Sequence, residues 1–223
     1  MAKTLRPTRA PNQPIAPVDY DQRFQDMFSN ALRLYFAEID NFSGTLMQNS
    51  GGRYINFPHI AAQDNTDQYA TATNTATIVK WNTLDAASGF TLNVNNTTTA
   101  TYSGTYKIDY SLQLANTDNA IHDAFVWLRV DGVDVPGSAS KFTIPARKSA
   151  GAPAFIVAYS SVSFEIQGGQ SIGLWWATDQ AYSTTGPVNG VYMEYEAAQT
   201  VPFPRPSIPS AIGSIVFVSE LDK

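Results

Sequence analysis

Few side chains in this sequence are able to carry chemistry. His59 and His122 supply the only imidazoles, and cysteine is absent, so no thiolate nucleophile, disulfide or thiolate metal site can form. His122 precedes Asp123, and the two could serve as an acid–base pair. A hydrolase of the triad kind also needs a serine on a strand–turn–helix elbow, and none accompanies them: the one G-x-S-x-G string, Gly169 to Gly173, lies in an expected strand–turn–strand. His59 follows Pro58 on an expected strand and reads as a packed or edge residue. Glu165, Glu194 and Glu196 sit on expected strands, but spacing along one chain cannot place two carboxyls across a sugar, and they read as solvated. "GGQS" and "SGGR" are turns, because the phosphate-loop pattern G-x-x-x-x-G-K-[ST] is missing. Asp64, Asn65 and Asp67 form an oxygen-rich loop, and Asp131 and Asp134 a second pair, yet neither has the spacing of an EF-hand. The expectation is a protein that is not an enzyme and has no catalytic residue, metal or cofactor.

The elements that would position these residues are written in the composition and spacing. Charged residues make up only 15% of 223 residues, and the net charge of −5 argues against a general nucleic-acid binder. Tyr, Phe, Thr, Asn, Ser and Gly are plentiful, which favours β-structure. The first twenty residues lack the apolar core of a signal peptide, and no run of about 18 apolar residues follows, so no membrane insertion and assembly in the cytoplasm are expected.

Four segments are expected. Residues 1–18 form a Pro-rich, mildly basic, extended arm. Residues 19–52 hold one amphipathic helix and a linker. Its seam is Phe24, Phe28, Ala31, Tyr35, Ile39, Phe42 and Leu46, with Asp19 or Asp21 as cap. That seam must lie against the chain's own β-domain, against copies of itself, or against another protein. Residues 53–197 read as nine or ten strands with turn signals every 8–12 residues, the pattern of an antiparallel sandwich or jelly roll. "GTYKIDYSLQL" alternates throughout, with Tyr106, Ile108, Tyr110, Leu112 and Leu114 inward. Phe90, Leu92 and Val94 share a face before an Asn95-Asn96 turn, and Gly168-Gly169 joins two further strands. "FVWLRVDGVDV" folds back at Asp131-Gly132, pairing Arg129 with Asp134 and burying Val126, Leu128, Val130, Val133 and Val135. Residues 198–223 are a Pro-rich tail and a final strand, "SIVFVSEL", which pairs with a neighbouring chain or as an edge strand of its own domain.

This alternation leaves Trp127, Trp175 and Tyr192 on the faces away from the core. Three outward aromatics on separate strands suggest a buried self-association surface, since aromatics concentrate at interface centres. They are the candidate trimer-interface residues. Tyr182, in the loop "TDQAYSTTGPVNG", is a candidate host-contact residue.

The run from Phe57 to Ala197 resembles the complement C1q/tumour-necrosis-factor jelly roll at four places: "YINFPHIAA", "YSGTYKIDYSLQL", "FVWLRVDGVDV" and "VSFEIQGGQSIGLWW". That resemblance implies a compact homotrimer packed about a three-fold axis. It also admits calcium in the Asp64–Asp67 loop, as in some members. A collagen stalk and signal peptide are missing, and "DQRFQDMFSNALRLYFAEIDNFSGTLM" stands in their place. A Cys-free jelly roll behind such a segment looks like a virion structural protein of tailed bacteriophages, especially marine cyanophages. The implied function is a homotrimeric surface knob, short fibre or capsid decoration protein, held to capsid or tail proteins by its N-terminal arm and helix. The competing reading is a carbohydrate-binding or host-receptor-binding module, with a host-surface glycan as partner. Stacking aromatics such as Trp127, Trp175 and Tyr182 would serve it.

Overall fold

Two periodicities divide the chain, 3.6 before residue 57 and 2 after it. The computed structural model describes residue 12 and residues 18–47, 57–185 and 189–221, apart from the side chains of residues 45–47. Most of the expected arm, the "YIN" of the first strand and the side chain of Leu46 therefore lie outside the described residues. The chain forms two units, Met1–Asn56 and Phe57–Lys223.

In the first unit, α1 spans Gln22–Met47. Asp21 caps it: a carboxylate oxygen accepts the Arg23 N–H at 2.9 Å, satisfying one of the donors that the first turn leaves free. Phe24, Phe28, Ala31, Tyr35, Ile39 and Phe42 are half-buried, and the Phe24 and Phe28 rings stack with centroids 6.2 Å apart. Met27, Leu34 and Phe36 are exposed. No described side chain of this helix is buried.

In the second unit the strands are, in chain order, β1 His59–Asp64, β2 Gln68–Tyr69, β3 Thr77–Ile78, β4 Thr83–Ser88, β5 Phe90–Leu92, β6 Thr98–Ala100 and β7 Gly104–Asn116. They continue with β8 His122–Val130, β9 Val133–Asp134, β10 Ser140–Ile144, β11 Ala154–Ile166, β12 Ser171–Thr178, β13 Val191–Met193 and β14 Ala211–Ser219. Two antiparallel sheets result. One runs β11–β7–β14–β1–β4, with β13 and β2 continuing the rows of β14 and β1. The other runs β10–β8–β12–β6–β5, with β3 and β9 as short additions. The chain crosses repeatedly from one sheet to the other, β6 to β7 to β8 and β10 to β11 to β12, which makes the sandwich a jelly roll. Tyr106, Ile108, Tyr110, Leu112 and Leu114 of β7 face Val126 and Leu128 of β8 and Leu174 and Trp176 of β12 across the core.

Three local expectations are corrected. The C-terminal strand is neither an edge nor a strand lent to a neighbour: β14 lies between β7 and β1, at the centre of its sheet. Its prolines are confined to the excursion before it, and Ala211 and Ile215, opposite Leu112 and Ile108, are buried. The jelly roll thus includes the segment expected to be a tail. Val94 is exposed, because the turn closes earlier, through the Asn93 N–H on the Thr97 carbonyl at 2.8 Å. Val133 is 70% exposed because the Asp131-Gly132 hairpin, paired as expected, carries β9 past the edge of the core.

Candidate functional site

The outward aromatics occupy two different surfaces. Trp127 and Trp175 are directly paired across β8 and β12, on the outer face of the second sheet. Tyr192 lies on the outer face of the first sheet, where β13 pairs with β7 and β2. The outer faces of a sandwich point in opposite directions, so the three do not form one patch on the chain.

The two tryptophans are held by their neighbours. Arg129, two residues along from Trp127, lays its guanidinium over the Trp175 ring at 4.2 Å and beside the Trp127 ring at 5.6 Å. Asp134, brought opposite by the hairpin, accepts the Trp127 indole N–H and the Arg129 Nε–H, both at 2.6 Å. The Arg129 hydrogen bond and then that of Trp127 hold the Asp134 carboxyl below its ordinary range. Trp127 therefore sits on the wet face because its polar edge and one ring face are used locally.

On the first sheet the register builds an apolar row. Phe155 of β11, Ala115 of β7, Tyr192 of β13 and Tyr69 of β2 are successive cross-strand partners on one face. Val157 and Tyr159 follow Phe155 on the same side of β11, and Ile212 lies beyond Ser111 from Tyr159. Phe155, Val157 and Tyr159 are 45%, 58% and 59% exposed. β11 is thirteen residues long and among the described residues pairs only with β7, so no described strand lies along its other edge. Farther along, the same face turns polar with Ser161, Ser163 and Glu165 beside Asp109, Lys107 and Thr105. Along β11 the apolar residues are confined to one end.

Tyr192 is nearly covered, by Tyr69 and Tyr182, whose ring centroids lie 5.6 and 5.1 Å away. Gly190 makes this cluster possible: a Cβ there would meet the Gln180 carbonyl oxygen at 2.6 Å and backbone atoms of Ala181 and Tyr182 just beyond. The close approach brings Tyr182 onto Tyr192. The Tyr192 hydroxyl donates to Glu194 Oε1 at 2.9 Å and the Tyr69 hydroxyl to Asp67 Oδ2 at 3.1 Å. Burial raises the Glu194 carboxyl, and Glu196 and Asp67 push it further against the Tyr192 hydrogen bond. Burial, and then the Asp67 charge, push the Tyr69 phenol up to about 12; burial and Glu194 move Tyr192 in the same direction. A raised folded-state value adds stability that is complete below the ordinary phenol range and disappears as pH rises through the folded value. In an alkaline absorbance titration, Tyr69 and Tyr192 should ionise after the ordinary phenols, as should Tyr106 and Tyr110, which burial raises, and Tyr69→Phe with Tyr192→Phe should shrink that late step. Ionisation of every tyrosine in one step at the ordinary phenol value would refute the cluster.

Beside these rings Tyr69, Thr71, Thr73, Tyr182, Ser183 and Thr185 line an open hollow of about 350 Å³. Tyr182 was legible as a loop residue; Tyr69 was missed, since only the register places it beside Tyr192. The other candidate residues are otherwise engaged. Asp64 accepts the N–H and hydroxyl of Thr66, and Asp67 accepts the Tyr195 N–H as well as Tyr69. Asp131 accepts the Ser171 N–H at 2.8 Å. His122 pairs with Asp118 and Asp179, while its chain neighbour Asp123 binds Lys141 and Thr143. His59 Nδ1 lies 2.9 Å from the Phe57 carbonyl. Among the described residues no three His, Asp or Glu side chains are grouped to hold a metal ion, and no helix is long and apolar enough to cross a membrane.

No family model and no curated protein matches the chain. A solved structure titled "Structure of Eiger TNF from S. frugiperda" aligns over 75% of this chain and 96% of its own, at 11% identity and a TM-score of 0.45. That likeness is one of outline, and no residue or activity is carried over from it.

Proposed function

We propose that the chain is a non-enzymatic structural protein of a virus particle, a homotrimeric knob, short fibre or decoration protein of a tailed bacteriophage. The observation that supports trimer formation is the apolar end of the β11–β7–β14 face. Phe155, Val157 and Tyr159 stand exposed there beside an open strand edge, an arrangement that a further protein surface would cover. An edge packing on the face of the next copy is heterologous, and such contacts close when the rotation closes; three copies are the smallest ring beyond a dimer. This replaces Trp127 and Trp175 as interface residues and keeps the region of Tyr192. The particle context is supported by the sequence: a Pro-rich arm and a seamed helix ahead of a Cys-free sandwich. Capsid or tail proteins are then the partners and the virion the location.

Replacing Phe28 and Tyr35 together by Asp puts two charges into the helix seam. The variant should be absent from purified particles while its β unit melts as the parent does. Particles carrying the variant at parental occupancy would rule out the anchor.

Glycan binding remains the second reading, now at the hollow of Tyr69 and Tyr182, because Thr and Ser hydroxyls line it beside two aromatic rings. The Trp175 face, occupied by Arg129, is a poor platform.

A further inference from the structure

We infer that the hollow bordered by Arg147, Tyr182 and Asn189 takes a sugar bearing a single carboxylate, a hexuronic acid unit of an acidic glycan. The inference rests on the glycan reading above, and not on the trimer. Thr117, Arg147, Pro153, Tyr182 and Asn189 line this concavity of about 190 Å³, and Tyr182 also borders the hollow of Tyr69. Three connections meet here. That from β7 to β8 supplies Thr117, that from β10 to β11 supplies Arg147 and Pro153, and that from β12 to β13 supplies Tyr182 and Asn189. Hydrogen bonds tie them together. The wholly buried Asn116 donates to the Ala120 and Pro145 carbonyls at 2.9 and 2.8 Å and accepts the Asp118 N–H at 2.9 Å. The Arg147 N–H donates to the Asp118 carbonyl at 2.8 Å, and Thr117 and Gly190 exchange hydrogen bonds at 3.0 Å. The walls are set before any ligand arrives, which lowers the ordering cost of binding.

The groups these walls leave unused select the ligand. Lys107, Arg129, Lys141 and Arg205 each hold a carboxylate. Arg147 is half-buried and pairs with no carboxylate among the described residues; its guanidinium donates from Nη1 to the Thr117 carbonyl at 3.2 Å. A guanidinium carries several N–H donors in a fixed fork, enough to hold a carboxylate as well. The half-buried Asn189 amide has no partner among the described residues, which leaves a donor and an acceptor for sugar hydroxyls. Tyr182 adds an aromatic ring against which the apolar face of a pyranose can lie. One negative charge suits this site better than two. The Asp118 carboxylate, which binds His122 Nε2 at 2.8 Å and accepts the Asn119 N–H at 2.7 Å, stands close enough to Arg147 to feel its charge. Asp118 would repel a phosphate dianion more strongly than a carboxylate.

The full chain is titrated with D-glucuronate and D-galacturonate, and with D-glucose and D-galactose as their uncharged counterparts. Binding is read by saturation-transfer NMR of the sugar. Charge-assisted hydrogen bonds should make at least one acid bind roughly tenfold or more tightly than its counterpart. Arg147→Gln should erase that preference while the neutral sugar's affinity and the melting midpoint stay as in the parent. Asn189→Asp leaves Arg147 in place but sets a like charge beside the bound carboxylate, and should weaken the acid far more than the neutral sugar. Lys148→Gln, which removes the exposed cation next in the chain, should keep the preference. Equal affinity for acid and neutral sugar in the parent would overturn the inference and leave the glycan reading standing. A preference that survives in Arg147→Gln would do the same, since the charge would then be read elsewhere. If none of these sugars binds, the inference and the glycan reading fall together.

Discussion

The Val157→Lys/Tyr159→Lys variant is expected to sediment as a monomer at concentrations where the parent chain is a trimer. Both side chains are more than half exposed in the single chain, on the apolar end of the β11 face. A side chain at the centre of an interface costs about 2 kcal/mol or more when lost, and two such losses per contact weaken association by roughly a thousandfold. Burying the introduced ammonium groups adds to that cost. Folding of the β unit should change little, because exposed positions usually shift stability by about 0.5 kcal/mol or less. Lysine suits position 159 because the Tyr159 hydroxyl donates to Asp109 at 3.2 Å, and an ammonium can take over that partner. Ser163→Lys, at the polar end of the same strand, is the control and should leave the mass unchanged. A double variant that remains trimeric would move the interface elsewhere.

Trp176→Ala should nearly abolish folding of the β unit. Trp176 is fully buried at the centre of β12, among the largest side chains of the core. Truncating a buried aromatic to Ala costs about 3–5 kcal/mol, a large part of the 5–15 kcal/mol available to a domain. The indole Nε1 is buried without a hydrogen-bond partner. Trp176→Phe therefore loses volume but no hydrogen bond, and should melt well above the Ala variant. Chemical denaturation followed by circular dichroism ranks the three. Equal midpoints for the Ala and Phe variants would show that the loss of packing volume is not what matters there.

Much of this fold is legible in the sequence because its signals are local. The alternation through Tyr106–Leu114, the Asp131-Gly132 hairpin and the Asp21 cap are each decided by residues adjacent in the chain. What escapes the sequence depends on partners far along it. The place of β14 is one such case: a proline-rich run suggests that the domain has ended, and only pairing with β7 and β1 shows that the strand completes it. Gly213 in that strand reads as a weakness, yet a Cβ there would lie 2.7 Å from the Trp81 ring packed over it.

The candidate surface follows the same division. Outward direction can be read for Trp127, Trp175 and Tyr192, since alternation sets it, but membership of a sheet cannot. Two outward residues can be near neighbours or lie on opposite sides of the sandwich. The exposed β11 residues were hidden for another reason: Phe155, Val157 and Tyr159 are apolar on the outward side, so the strand lacks the polar alternation that marks a wet face. Tyr69 lay on a two-residue strand, too short for any periodic signal.

Sedimentation equilibrium of the full chain at micromolar concentration tests the trimer most directly. The account predicts a single species of three times the 24.3 kDa chain mass. A species of one chain mass across that range would leave the β11 face without the partner assigned to it, and would contradict the account.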